Sequence, residues 1–263
     1  QDTPPLSFSL YTTFDHNSVS SDFDDPGFDS APGGTVEDFT AVILWGDGTS
    51  NDTTDGTGNI TLVEVSGGIG VLTAGTIQAS HAYDTPGVYT LTLTVTDDDG
   101  NSDQSIFEFV VVYDPDGEFV TGGGWIDSPP GACTITVECE TETGKANFGF
   151  NAKYKNNATI PTGQTQFQLK GDLNFHSSSY DWMVIVGAQV KYQGSGTING
   201  SGSYGFILSA TDGQESGGGG VDKFRIKIWD KDNGDVVVYD NGMGASDDAD
   251  PTTPIGGGSI KVH

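Results

Sequence analysis

Basic residues are what this chain lacks most. Ten Lys+Arg stand against 37 Asp+Glu in 263 residues, a formal charge of −27 with a pI near 4.1. None of the ten precedes Lys145. Residues 1–117 therefore hold 20 acids and no Lys or Arg, a net of −20, and residues 118–263 hold 17 acids and all ten bases, a net of −7. A surface of this sign repels phosphates, which excludes nucleic acid as a partner, and it is repelled by anionic membranes. Long apolar runs are also missing. The longest, such as Ala41–Trp45 and Phe109–Tyr113, are strand-sized and far short of the roughly 18 residues of a membrane span. Ala, Leu, Lys and Glu are scarce, which excludes a helix-rich fold. The four histidines, His16, His81, His176 and His263, show no metal-ligand spacing. No Gly-x-Ser-x-Gly elbow stands at a strand-to-helix turn; Gly200-Ser201-Gly202-Ser203-Tyr204 is a loop between strands. Paired carboxylates for glycoside hydrolysis stay open, since Asp is so abundant that any pair is uninformative; the expectation is a non-enzyme.

What is present is the vocabulary of sheets. Gly numbers 39 and aromatics make up 10%. Tyr89, Leu91, Leu93 and Val95 alternate with Val88, Thr90, Thr92, Thr94 and Thr96, the period of a half-buried strand. Asp97-Asp98-Asp99-Gly100-Asn101 closes it as a hairpin turn, and Ile106–Tyr113 is the return strand. Thr40–Trp45 is an apolar strand stopped by Gly46-Asp47-Gly48-Thr49. Leu6-Ser7-Phe8-Ser9-Leu10-Tyr11-Thr12 alternates as well, and can pair within its own domain or add to a neighbour's sheet edge. Pro115-Asp116-Gly117 breaks the chain, which sets domains at 1–117 and 118–263. The second repeats the alternation at Phe148, Phe150 and Ala152, at Phe167 and Leu169, and at Phe224, Ile226 and Ile228. About eight to ten such strands with Gly/Asn/Asp turns predict a jelly-roll-like sandwich. Cys133 and Cys139 can bond only if Thr134–Glu138 folds back; in an exported protein that local staple is expected.

Three spaced motifs in the first domain carry a resemblance. Trp45-Gly46-Asp47-Gly48-Thr49, then His81-Ala82-Tyr83 with Pro86-Gly87-Val88-Tyr89, then Val95-Thr96-Asp97 resemble a PKD (polycystic kidney disease) domain. With Phe23-Asp24-Asp25-Pro26-Gly27 and Glu37-Asp38-Phe39-Thr40-Ala41 upstream, the likeness spans roughly residues 15–113 and is closest to the long bacterial variant. It implies an immunoglobulin-like sandwich of about seven strands, with Trp45 in the core, Gly46-Asp47-Gly48 in a tight turn, and His81 and Tyr83 bracing the next strand. Phe119-Val120-Thr121-Gly122-Gly123-Gly124-Trp125-Ile126 is similar to the start of a module that follows PKD domains in exported bacterial proteins. The resemblance implies export and brings no catalysis.

Charge and turn chemistry point to calcium. A domain at −20 repels itself, and Asp-rich turns supply the hard oxygens that calcium prefers. Asp97, Asp98 and Asp99 crowd one turn that, in the fold, can face Asp22, Asp24 or Asp25; the bland reading is a solvated hairpin tip. Asp230, Asp232 and Asp235 lie in Asp230-Lys231-Asp232-Asn233-Gly234-Asp235, which has the alternate oxygens and the Gly of a calcium loop but no distant bidentate Glu. Asp247-Asp248-Ala249-Asp250 is a dense acidic loop. A rival reading is carbohydrate binding, with Trp125, Trp182, Trp229 and Tyr192 as candidate platforms and Trp229 the best of them, because alternation puts it opposite Phe224, Ile226 and Ile228. Trp182 and His176, with Tyr180 and Asp181, form a further cluster. The expectation is an all-β, tandem-sandwich, extracellular or cell-surface structural or adhesive module. It is calcium-stabilised and partners copies of itself, other surface proteins or glycans.

Overall fold

The computed structural model describes residues 7–9, 18–30, 33, 36–112, 119–137, 139–155, 158–169 and 173–263. The expected boundary at Pro115-Asp116-Gly117 lies outside them. The chain is all-β and divides into two compact units, Gln1–Thr85 with Tyr89–Val110, and Pro86–Val88 with Val111–His263.

The first unit carries strands β1 (Ser7–Ser9), β2 (Ser18–Asp25), β3 (Phe39–Leu44), β4 (Ser50–Asp52), β5 (Ile60–Val65), β6 (Thr73–Ser80), β7 (Gly87–Asp97) and β8 (Ser102–Val112). They form two antiparallel sheets, β1-β2-β6-β5 and β4-β3-β7-β8. Strict alternation builds the space between them. Phe39, Ala41 and Ile43 of β3 are buried while Thr40, Val42 and Leu44 face out, and Leu91, Leu93 and Val95 of β7 point the same way. The Phe23 and Phe39 rings meet across the sheets at 4.8 Å. Of the N-terminal alternating segment, Ser7–Ser9 pairs with β2 of its own chain.

The second unit is one nine-stranded antiparallel sheet: β9 (Val120–Ser128), β10 (Gly144–Lys153), β11 (Thr162–Leu169), β12 (Leu173–Val186), β13 (Gln189–Ile198), β14 (Ser201–Thr211), β15 (Lys223–Asp230), β16 (Val236–Asp240) and β17 (Gly257–Val262). Its order is β16-β15-β14-β13-β12-β11-β10-β9-β17. The strand count follows the expectation; the connectivity is a meander rather than a jelly roll, because the links from β9 through β16 join sheet neighbours. The sheet is rolled. Phe148 of β10 stacks on Phe224 of β15 at 4.1 Å, and Phe167 of β11 meets Tyr239 of β16 at 4.6 Å. Five strand spacings in a flat sheet would hold those pairs about 24 Å apart. Both edges are closed. Beyond β16, the Thr134 amide donates to Val238 O and the Asp240 amide to Ala132 O, and the Cys133–Cys139 disulfide pins that segment. Beyond β17, the outward amides of Ile260 and Val262 donate to the buried carboxylates of Asp222 and Asp212 at 2.7 and 3.2 Å. A carboxylate here replaces a neighbouring strand.

Glycine opposite an aromatic recurs across both units. Phe23 pairs with Gly75, Phe150 with Gly122, Phe206 with Gly194, Trp229 with Gly205 and Trp125 with Gly257. In each pair the ring lies over its glycine: a Cβ at Gly122 would sit 2.3 Å from Phe150 Cζ. The bare strand position becomes a seat for the ring, which restores the packing that glycine forfeits. Gly122→Val should therefore cost about 1–3 kcal/mol by overpacking. Urea unfolding of the full chain reads it, and a stability equal to wild type would contradict the seat.

Candidate functional site

In the first unit the signature residues form a staple. Trp45 is 2% exposed and its indole N–H donates to Asn51 Oδ1 at 2.9 Å. His81 stacks on Trp45 at 4.8 Å, Tyr83 meets His81 edge-on at 4.6 Å, and Tyr89 stacks on Tyr83 at 4.3 Å. The Tyr83 hydroxyl returns to the chain, donating to Trp45 O at 2.9 Å. Gly46, at φ +82°, brings its backbone so near Thr90 that a Cβ would lie 2.6 Å from the Thr90 carbonyl. These are packing roles.

The carboxylates of this unit are answered without Lys or Arg. Asp47, Asp52 and Asp55 each accept from both the amide and the hydroxyl of the threonine two residues on, Thr49, Thr54 and Thr57, at 2.5–2.9 Å. This Asp-x-Thr spacing is visible in the sequence, where only the Gly46-Asp47-Gly48-Thr49 copy is read above, as a turn. Asp47 also takes His81 Nε2 at 2.7 Å. Burial opposes ionisation of Asp47, but these donors outweigh it and hold the carboxyl at about 2.

One pole of the sandwich is different. Asp25 ends β2, Glu37 and Asp38 precede β3, Glu64 is near the end of β5, and Asp97 ends β7 with Asp98 and Asp99 behind it. Asp97 takes the amide and side chain of Asn101 at 2.7 and 2.9 Å, and Asp25 takes the Gly27 amide at 2.6 Å. Glu37 lacks such relief. Burial, then the charges of Asp25, Asp98, Asp97 and Asp99, raise its carboxyl to about 7. Burial raises Asp25 too, with Asp97 and Asp99 contributing. Glu64, raised by burial and by Asp38 and Asp29, keeps a buried Oε2 with no hydrogen-bond partner. Of the three residues expected to face the Asp97–Asp99 turn, Asp25 does; Asp22 and Asp24 are exposed on the opposite face of β2. Glu37 was missed, because only the folded chain carries it to β7. Among the described residues no three His, Cys, Asp or Glu side chains are gathered closely enough to hold a metal ion.

The second unit answers its acids with its own bases. Asp230 caps a 3-10 turn, Lys231–Asn233, accepting the Asp232 amide at 3.0 Å, and Gly234 and Asp235 take the left-handed conformation. The Asp230, Asp232 and Asp235 segment is thus a hairpin turn, with Asp232 and Asp235 exposed. The acidic loop is a strap over the outside of the sheet: Lys227 pairs with Asp247 at 2.5 Å, Gln189 reaches Asp250 at 3.0 Å, and Lys191 donates to Asp248 O. Arg225, 3% exposed, grips Asp240 through Nε and Nη2 at 3.0 and 2.9 Å and donates to the carbonyls of Ala245 and Ser246. Lys261 pairs with Asp212 at 3.1 Å. His176 is exposed on β12, whereas Tyr180 is buried with its hydroxyl donating to Asn151 O, so the expected cluster is split between two faces. Trp182 and Trp229 are half-buried on the outer face.

An immunoglobulin-like sandwich in one unit and a rolled sheet in the other define an all-β chain. Residues 45–112 match the family model of the PKD domain, beginning at Trp45 and ending within β8. PKD domains are typically extracellular and generally non-catalytic. The match ends at Val112 and so leaves the nine-stranded sheet of the second unit, β9 to β17, outside it. No curated protein and no solved structure matches the chain. Among the described residues no helix is long and apolar enough to cross a membrane.

The two kinds of carboxylate have opposite signs in pH. Asp47, depressed in the fold, contributes stability above its ordinary 3.8 that is lost as pH falls through about 2. Glu37, raised from 4.5 to about 7, favours the fold when protonated; that contribution is complete below 4.5 and is lost as pH rises through about 7. In chelator, the melting temperature should fall between pH 5 and pH 8, and Glu37→Gln should flatten that slope. Calorimetry reads it; an unchanged slope in the variant would contradict the assignment.

Proposed function

We propose that this chain is an extracellular structural and adhesive module whose first unit is stabilised by calcium at the carboxylate pole. One observation carries the reading: Glu37 is held at about 7 among Asp25, Asp97, Asp98 and Asp99 in a stretch of 117 residues with no Lys or Arg. A divalent cation relieves what protonation otherwise must, and carboxylate oxygens are the donors calcium takes. The ion is envisaged as drawing the Asp97–Asp99 turn and Glu37 together, with water completing its shell. The module works by holding and binding rather than by catalysis.

Contact between copies is proposed through the β5 edge, in addition to head-to-tail contact by charge. Lys191, Arg225, Lys227 and Lys261 of the second unit are engaged within it, which leaves six of the ten bases to meet a neighbour's acids. The β5–β6 hairpin is nearly free of charge, with Glu64 the one acid between residues 56 and 83. It exposes Val63, Val65, Ile69, Val71 and Leu72, and an unguarded edge invites pairing. Glycan binding is a second reading, favoured by how Trp229 lies on the second unit.

Calcium in millimolar amounts should raise the melting temperature by several degrees, since a ligand of the native state stabilises by mass action. The rise should be larger at pH 8 than at pH 5 and smaller in Glu37→Gln. Electron microscopy of the same samples reads assembly. A melting curve indifferent to calcium and chelator would remove the calcium reading; single particles throughout would remove assembly alone.

A further inference from the structure

Among the described strands the sheet edges are β1, β5, β4, β8, β16 and β17. A free edge invites a further strand unless something blunts it. Both edges of the second unit are closed, one by residues 132–134 and the other by the carboxylates of Asp212 and Asp222. In the first unit β1 is three residues long and lies beside Asp22 and Asp24. β4 is three residues long and ends on Asp52. β8 carries Asp103 and Glu108. That leaves β5, six residues with one acid. Glu64 alternates with the exposed Val63 and Val65, so it faces inward with Ile60 and Leu62 and puts no charge on the outer row.

The backbone of this edge is unpaired. The register joins Ile60 to Ala79, which sets Asn59 opposite Ser80, and the Ser80 amide donates to Asn59 O at 2.8 Å. Asn59–Ser80 is therefore a hydrogen-bonded pair. By the period of an antiparallel ladder, Thr61, Val63 and Val65 bond to β6, while Leu62 and Glu64 turn amide and carbonyl away from it. Among the described strands none takes these groups up. The outer row beside them is apolar: Val63 is 65% and Val65 69% exposed, and Ile69, Val71 and Leu72 continue it along the β5–β6 hairpin.

We infer that β5 pairs antiparallel with β5 of a second copy, about a two-fold axis through Val63, and that assembly by this edge stops at two. This pairing rests on the β5-edge contact proposed above and deepens it by naming the partner. Charge selects that partner. With no Lys or Arg in residues 1–117, contact through the acid-bearing edges would set carboxylate against carboxylate. Behind β5 the outward acids of its own sheet, Asp22 and Asp24, lie two strands away on β2. In the pair, β2 and its counterpart stand five strand spacings apart, about 24 Å, or about three Debye lengths in physiological salt. The antiparallel sense also sends the two carboxylate poles to opposite ends. Alternation fixes the register. An axis through Val63 sets valine on valine as a non-hydrogen-bonded pair, in which side chains approach most closely. Thr61 then meets Val65, and Glu64 meets Leu62. An axis through Leu62 would set the valines against Thr61 and Asn59, and one through Glu64 would oppose two carboxylates. The contact is isologous, and each copy spends in it the one unguarded edge of its described strands, so none is left to add a third copy. Growth into filaments needs the head-to-tail contact by charge as a separate interface.

Sedimentation velocity of the full chain in chelator, over about a hundredfold range of concentration and at low and high salt, reads the pairing. A reversible monomer–dimer equilibrium is expected. Salt should strengthen it, because screening relieves the repulsion between two negative units, whereas head-to-tail contact by charge weakens in salt. Val63→Asp opposes two carboxylates on the axis and should lower dimer association about tenfold or more, with the melting temperature of the monomer nearly unchanged. Val63→Cys should form a disulfide-linked dimer in oxidised glutathione, since the native Cys133–Cys139 pair is buried. Thr61→Cys, offset from its counterpart, and Ile106→Cys, on β8 of the other sheet, should not. Should Val63→Asp fail to fold, the Val63→Cys cross-link and the salt dependence carry the test. A chain monomeric throughout would overturn the pairing and the edge contact together. Assemblies larger than a dimer at high salt that Val63→Asp abolishes would overturn the two-fold pair and leave the edge contact standing. A dimer indifferent to Val63→Asp, one that weakens in salt, or one without a cross-link at Val63→Cys would overturn the pairing and leave contact by charge.

Discussion

Negative charge without a matching cation is the constraint under which the first unit is built. A sandwich at −20 has no Lys or Arg to pair with its acids, so each carboxylate depends on hydroxyls, amides or distance. The Asp-x-Thr turns supply hydroxyl and amide donors in one local step, without a long-range partner. The device works for acids on loops and fails where strands converge. At the pole formed by the ends of β2, β5 and β7 and the entry to β3, burial first, and then the charge of carboxylates brought from distant parts of the chain, make Glu37, Asp25 and Glu64 all ionise less readily. The second unit meets the same chemistry with Lys191, Arg225, Lys227 and Lys261, whose partners lie on its own strap and edge. One chain thus shows two solutions: internal bases in one unit, and in the other a residual demand for a proton or an ion.

Glycine has a matching role in the apolar part of the structure. A bare position opposite an aromatic lets the ring fold down onto the neighbouring strand, inside the roll for Phe150 and Phe206 and outside it for Trp125 and Trp229. Inside, the result is a core dominated by stacked rings. Outside, the same geometry makes a platform, and whether that platform is open depends on what lies above it. Carboxylates close the roll where strands do not, since Asp212 and Asp222 take the outward amides of β17.

Period-two alternation made much of this legible in advance. Val88–Thr96, Phe148–Ala152 and Phe224–Ile228 read as strands because their sequence states which face is buried, and they are β7, β10 and β15. The outward position of Trp229 followed from the same count. Partner choice across sheets was not legible. Nothing local says that Glu37 sits near Asp97–Asp99, or that Asp24 and Asp25, one residue apart, face opposite ways relative to that turn. Connectivity was likewise hidden: alternation gives strands, while the short links that make a meander are indistinguishable from those of a jelly roll. In the Asp230–Asp235 turn the same oxygen spacing serves the turn itself at Asp230, which accepts the Asp232 amide, while Asp232 and Asp235 stay exposed.

The most direct measurement of the central claim is the proton count on calcium binding, obtained by titration calorimetry of the full chain near pH 6.5 in two buffers of different ionisation enthalpy. A carboxyl held at about 7 is mostly protonated there, so an ion that takes its place must release a sizeable fraction of one proton, and Glu37→Gln must lose that release. Binding with no proton release, or no heat of binding in either buffer, would contradict the account.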